Sequence, residues 1–232
     1  MALLSTNSKK LALLIDPEEY SEKDYLNQKG KIADLFDVIL VGGSSDSKKQ
    51  IDPCVKSIKA HFEQPVYIFP GSHEQVSEAA DGMLYLSLIS GNNAQYLIGE
   101  HRKSALALKQ MDLDIVPTGY VLVDGGKETS VQKVSQTLPL SQDDIETIVA
   151  TSVAGELLGM KAIYLEAGSG AKIPVKKEII REVKSKLDIP LIVGGGIRSS
   201  EEIKLAFENG ANLVVIGTFI EENTSNINQL KK

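Results

Sequence analysis

Three glycine-rich turns stand in the last third of the chain, each behind a short apolar run: Gly168-Ser169-Gly170, Gly194-Gly195-Gly196 and Gly217-Thr218. Glycine lets a backbone come close to an anion and aim its N–H groups inward, so repeated turns of this kind suit a phosphate grip. Any one of them alone is also ordinary turn chemistry. Three sets in successive loops favour the phosphate. Glu166 ends the run directly before the first set. A carboxylate beside a phosphate pocket can take a proton from a substrate hydroxyl, although a salt-bridge partner would look the same in sequence. Near the N-terminus, Asp16-Pro17 closes one apolar run and Gly42-Gly43-Ser44 closes the next. The Asp16 carboxylate is of the type that holds Mg²⁺ together with substrate phosphates. The competing reading is a helix cap for Asp16, and a plain turn for Ser44, whose hydroxyl would sit beside the same mouth.

These residues need elements that bring them together. Eight β-branched runs recur: 11–15, 37–41, 66–69, 83–89, 115–123, 162–166, 191–193 and 213–216. They lack strict alternation, as parallel strands covered on both faces do. Pro117-Thr118-Gly119 interrupts the fifth. Helical patterns lie between the runs, such as Ser141 to Leu158, with Ser141 as N-cap and Asp144 as a first-turn acid, and another opening at Ser199-Ser200-Glu201-Glu202. The alternation predicts a single-domain (β/α)8 TIM-type barrel over residues 1–232, with an open doubly wound sheet as the alternative. In such a barrel the site lies at the C-terminal ends of the strands, where every candidate above falls. Two stretches are irregular. Residues 71–81 are too few for a full crossover helix, so one helix should be irregular or missing. Residues 127–140 are polar and weakly periodic, more like a mobile loop that could cover a site.

Composition narrows the function. The 25 Lys and Arg against 31 Asp and Glu give a net charge of −6, which argues against nucleic acid as a partner. Cys54 is the only cysteine and reads as packing, so a disulfide or a zinc cluster is out of reach. No run has the length of a membrane span and no secretory segment opens the chain, which predicts a cytoplasmic protein. Among the histidines, His61 and His73 should be exposed, and His101 is a candidate on a substrate-facing helix. No lysine ends a core strand, which disfavours a Schiff-base aldolase. A phosphosugar isomerase or lyase would need a lysine or paired acids there, and only Asp124 and Glu166 qualify. A non-catalytic phosphate binder would leave Asp16 and Glu166 without a task.

Five motifs occur in order: Leu14-Ile-Asp-Pro-Glu18, Val41-Gly-Gly-Ser44, Tyr164-Leu-Glu-Ala-Gly-Ser-Gly170, Val193-Gly-Gly-Gly-Ile197 and Ile216-Gly-Thr218. Together they resemble the geranylgeranylglyceryl phosphate synthase family, over nearly the whole chain from Leu11 to about Glu221. The stretch from Tyr164 to Gly170 is specific, whereas glycine triplets occur in many phosphate-binding barrels. That family joins sn-glycerol 1-phosphate to a polyprenyl diphosphate by an ether bond and releases diphosphate. The resemblance implies that Tyr164, Leu165, Glu166, Ala167, Gly168, Ser169, Gly170, Gly195, Gly196, Gly217 and Thr218 hold the glycerol phosphate. It implies that Glu166 and Tyr164 serve catalysis, with Glu166 contacting or deprotonating the attacking hydroxyl, and that Asp16 and Ser44 help hold Mg²⁺. It also implies an apolar prenyl groove near Tyr120 and the fourth strand, a barrel lacking one regular helix, a homo-oligomer (dimer or hexamer), and transient membrane contact through the lipid product. Bacterial relatives that use longer prenyl chains carry Lys where this chain has Leu14, which makes geranylgeranyl the expected donor.

Overall fold

The computed structural model describes residues 3–43 and 48–231. Its elements run β1 (Lys10–Ile15), α1 (Glu22–Asn27), α2 (Lys29–Leu35), β2 (Val38–Val41), α3 (Lys48–His61), β3 (Val66–Ile68) and β4 (Gly82–Leu88). A π-helical turn (Gln95–Gly99) leads into α4 (Glu100–Leu108), followed by β5 (Asp114–Leu122), α5 (Ser130–Ser135), α6 (Ile145–Leu157) and β6 (Ala162–Glu166). Then come α7 (Lys177–Lys186), β7 (Leu191–Gly194), α8 (Ser200–Glu208), β8 (Leu213–Ile216), α9 (Thr218–Glu221) and a 3₁₀ turn (Thr224–Gln229). Every strand pairs in parallel with the next, and β8 returns to β1 from Lys10↔Leu213 to Leu13↔Ile216. The sheet is therefore a closed (β/α)8 barrel and not the open sheet.

Successive side chains on each strand point to opposite faces, which divides the core in two. Leu11, Leu13 and Ile15 of β1 join Ile39, Val41, Ile163 and Leu165 in the layer between strands and helices. Ala12, Leu40, Leu84, Tyr164 and Ile192 point inward and fill the barrel. Leu3 and Leu4, just before β1, pack with this inner set and stop the N-terminal end. Both layers are apolar, which is why the strands read as continuous runs. Each fully buried side chain of this size contributes about 1.5–3 kcal/mol.

Three local expectations need correction. β5 is not interrupted: Pro117 pairs with Tyr85, and its carbonyl accepts the Lys161 N–H at 2.7 Å. Proline removes one donor and leaves the acceptor, so the ladder continues. Gly119 lies behind the tips of Ile89 and Ile163, the same two side chains that crowd Gly155 of α6; two missing side chains let that helix close on the strand. Second, α6 begins later than expected. Asp144 is its N-cap, accepting the Thr147 N–H at 3.1 Å, while Ser141 Oγ accepts only the Asp143 N–H in the preceding turn. Third, residues 127–140 hold the short helix α5, capped by Thr129, and end where Leu140 pairs with Val123. At α8 the expected start holds, as a full capping box between Ser199 and Glu202.

The missing helix lies where the shortage of residues placed it. No helix joins β3 to β4; the connection is held by side chains, with Gln75 bonded to the Gly43 carbonyl at 3.2 Å and the Gly71 N–H at 2.8 Å, and Ser77 to Asp52 at 2.6 Å. The helical ring therefore has a gap beside β3 and β4.

Candidate functional site

The glycine loops after β6, β7 and β8 meet at the C-terminal mouth of the barrel. Their pocket is lined by Asp16, Tyr164, Glu166, Ser169, Gly170, Gly195, Gly196, Gly217 and Thr218, among others. Thr218 Oγ1 ties two of the loops together, accepting the Gly170 N–H at 3.1 Å and lying 3.0 Å from Ser169 Oγ. Gly195 has a φ of +83°, a left-handed conformation that favours glycine. A methyl group there would strike Glu166 Oε1 and lie 2.6 Å from the Gly168 nitrogen. The β7 loop thus passes directly over the carboxylate only because it carries no side chain.

Glu166 ends β6 pointing inward, 5% exposed, and accepts the Gly168 N–H at 2.6 Å. No cation pairs with it among the described residues. Burial raises its pKa, while the nearby Tyr164 hydroxyl and the Gly168 N–H work in the other direction. Removal from water disfavours the charged form, which makes this carboxylate a better proton acceptor than an exposed one. The Tyr164 hydroxyl is fully buried beside the Glu166 carboxylate, near enough to act on its pKa, yet it meets no protein group in good hydrogen-bond geometry. A buried donor without a partner costs stability unless a ligand supplies the acceptor.

Two expected contacts are not made by side chains. Leu165 and Ala167 face the outer layer, because β6 alternation turns them away from Tyr164 and Glu166. Gly168 acts through its N–H on Glu166. Asp16 lies on the pocket wall at the end of β1, and its Oδ1 accepts the Glu18 N–H at 3.0 Å, so it also caps the following turn. Ser44 lies outside the described residues. Sequence reasoning missed Glu221, whose carboxylate accepts the Asp16 N–H at 3.0 Å and whose pKa burial and the Asp16 charge push up to about 7. It also missed Arg198, which lines the same pocket and pairs with Glu222 through two hydrogen bonds of 2.8 and 3.0 Å. Both stand beyond a strand end, inside or before a helix, where strand-end position gives no signal.

A second, mainly apolar groove opens through the gap in the helical ring. Phe69, Met83, Tyr85, Leu86, Leu88 and Tyr96 line it, and so do Val131 and Val134 of α5. Tyr120 lies on its wall, and Gly43, Phe69, Tyr120 and Val131 belong to both cavities. Where the two meet, the Tyr164 ring packs edge to face on Phe69 and Tyr120, with centroids 5.6 and 5.4 Å away, and Phe69 and Tyr120 are tilted against each other at 6.4 Å. His101 is buried in this wall, Nε2 3.1 Å from Ser87 Oγ and its ring edge-on to Tyr85; burial lowers its pKa. His73 is not exposed as expected. It is part-buried and bonded to Glu100 at 2.5 Å, and His61 is likewise part-buried, 3.6 Å from Glu22. Burial opposes the Glu100 charge, but hydrogen bonds from Lys103, His73 and Gln95 outweigh it and lower its pKa to about 2. Cys54 is buried in α3, and burial pushes its thiol up to about 12, which leaves it inert packing.

Comparison with known proteins agrees with this geometry. The PcrB family model matches residues 5–232. A geranylgeranylglyceryl phosphate synthase of Zunongwangia profunda is 50% identical over 93% of this chain and 92% of its own length. One from Pyrococcus horikoshii is 38% identical over 90% of this chain and 83% of its own. The crystal structure of (S)-3-O-geranylgeranylglyceryl phosphate synthase from Thermoplasma acidophilum with its substrate sn-glycerol-1-phosphate superposes with a TM-score of 0.88, at 34% identity, covering 96% of this chain and 90% of that one. This chain belongs to the PcrB family, the family of geranylgeranylglyceryl phosphate synthases.

Proposed function

We propose that the protein is a Mg²⁺-dependent prenyltransferase that joins sn-glycerol 1-phosphate to a polyprenyl diphosphate, geranylgeranyl diphosphate by preference. One observation carries the reading: a buried carboxylate without a cation, Glu166, stands with the unpartnered Tyr164 hydroxyl where a glycine-walled polar pocket meets an apolar groove. The polar pocket suits glycerol phosphate and the groove suits an isoprenoid chain, so their junction is where a hydroxyl and an allylic carbon would meet. Glu166 accepts the proton of the glycerol hydroxyl. The freed oxygen bonds to the terminal prenyl carbon as the carbon–oxygen bond to diphosphate breaks. Tyr164 supplies a hydrogen bond to the glycerol, and the two cavities hold the partners in line and away from water.

The residues present fit Mg²⁺. Among the described residues no three His, Cys, Asp or Glu side chains form a metal cluster, but Mg²⁺ is commonly held by one or two carboxylates together with substrate phosphates. Asp16, facing the pocket, would provide that carboxylate, with the Ser44 hydroxyl as the second ligand that the resemblance implies. When bound, the ion would draw charge from the departing diphosphate. A phosphosugar isomerase is poorly supported, because Asp124 is exposed, occupied with the Gly126 N–H at 2.9 Å, and not paired with Glu166.

A cytoplasmic setting suits the single free thiol. No helix among the described residues is long and apolar enough to cross a membrane, so contact with a bilayer would come through the lipid product. Self-association would cover Leu106, Leu157 and Leu158, each more than three-quarters exposed. Incubating the protein with glycerol 1-phosphate, prenyl diphosphates of several lengths and Mg²⁺ tests the reading by mass spectrometry. The expected result is a prenylglyceryl phosphate, most abundant with the twenty-carbon donor and abolished by a chelator. No prenylglyceryl phosphate from any of the donors with Mg²⁺ present would refute it.

A further inference from the structure

The ammonium of Lys127 stands over the glycine loop that follows β6. A methyl group added at Gly170 would fall 2.7 Å from Lys127 Nζ and 3.7 Å from Thr218 Cγ2. The lysine head therefore shares the space above Gly170 with the threonine that gathers the Gly170 N–H and faces the Ser169 hydroxyl. Two residues further on, Thr129 packs its methyl group against Gly168 so closely that no side chain would fit there. These contacts seat residues 127–129 along the whole of Gly168–Gly170.

Two cations stand at this rim, Arg198 and Lys127. Arg198 and Glu222 neutralise each other in their two-bond pair. Lys127 forms no ion pair among the described residues, although its field reaches Glu222. The other polar groups in contact at Gly170 are N–H and hydroxyl groups, and the carboxylates of Asp16, Glu166 and Glu221 lie elsewhere on the same pocket. A phosphate held over Gly170 would find one cation there without an ion pair among the described residues, the Lys127 ammonium.

We propose that Lys127 is a further binding residue for the glycerol phosphate, its ammonium pairing with the phosphate group over Gly170. The proposal rests on the glycerol phosphate reading given above. Hydrogen bonds between ionised groups are the strong ones, and the lysine is exposed enough for salt to weaken its share. Removal should therefore cost about tenfold in affinity, confined to the phosphate substrate.

Calorimetric titration of the parent protein, Lys127→Met and Lys127→Arg with glycerol 1-phosphate, and with inorganic phosphate as the simpler probe, tests this beside steady-state kinetics. Lys127→Met should weaken both ligands about tenfold, with a difference that shrinks as salt rises. It should leave the KM for prenyl diphosphate and the turnover at saturation within about twofold, because the residue touches no reacting atom. Lys127→Arg should recover most of the affinity. A Lys127→Met protein within twofold of the parent for glycerol 1-phosphate, or equally impaired towards both substrates, would overturn the proposal. A parent protein that binds no glycerol 1-phosphate would overturn the functional reading itself, and the role of Lys127 with it.

Discussion

At Glu166, stability and chemistry pull in opposite directions. The carboxylate is buried without a cation, so its folded-state pKa lies above the unfolded value, near 4.3 for an ordinary glutamate. Folding then favours the protonated form, and stability falls as pH rises from the unfolded pKa to the folded one. Glu166→Gln removes that penalty and should unfold at higher urea than the parent at neutral pH. The same change removes the proton acceptor while keeping the shape. Single-turnover rates with both substrates saturating should drop roughly 10²-fold or more, and the acid limb of the parent pH–rate profile, raised above that of an ordinary glutamate by burial, should disappear. A rate within a few-fold of the parent would reduce Glu166 to an orienting group. Gly195→Val tests the neighbouring backbone. Its left-handed conformation and the approach of its Cβ to Glu166 should weaken glycerol 1-phosphate far more than prenyl diphosphate in calorimetry. Equal losses for both would indicate general misfolding.

Among the elements, the strands were legible in the sequence and the short pieces between them were not. All eight runs became strands because a parallel barrel buries both strand faces, and a β-branched run between turn residues has few other places to go. The missing helix was legible by length alone. α5 was not, because its six residues carry no apolar period of their own and owe their helix to Thr129 and to contact with the mouth. Strand ends placed Glu166 and Asp16 on the mouth pocket, while Leu165 and Ala167 show that adjacency in a motif does not survive strand alternation. The groove was anticipated at Tyr120, but Val131 and Val134 entered through the unforeseen helix. Val134 is about half exposed while lining the groove, so it can be changed with little cost to folding. Val134→Asp should raise the KM for prenyl diphosphate about tenfold by setting a charge against the chain, and leave that for glycerol 1-phosphate unchanged. Equal KM values for the prenyl donor in both proteins would move the chain to another surface.

For the whole molecule, the barrel assigns stability to one end and chemistry to the other. Leu3 and Leu4 stop the N-terminal end against the inner core, on the far side from Glu166 and the glycine loops. Leu3→Ala should cost roughly 2–5 kcal/mol in urea unfolding, as large-to-small changes in a core do, with KM values for both substrates close to the parent. Altered KM values would mean that the two ends are coupled. The proposed reaction makes one carbon–oxygen bond and breaks another: the glycerol oxygen attacks carbon, and diphosphate leaves with its own bridging oxygen. Geranylgeranyl diphosphate carrying ¹⁸O in the carbon–oxygen–phosphorus bridge tests this in a single reaction with unlabelled glycerol 1-phosphate. Mass spectrometry of the products should find the label entirely in the released diphosphate and none in the ether. Label retained in the lipid would show that the bond broken lies between oxygen and phosphorus, and would contradict the role assigned to Glu166 and the meeting of the two cavities.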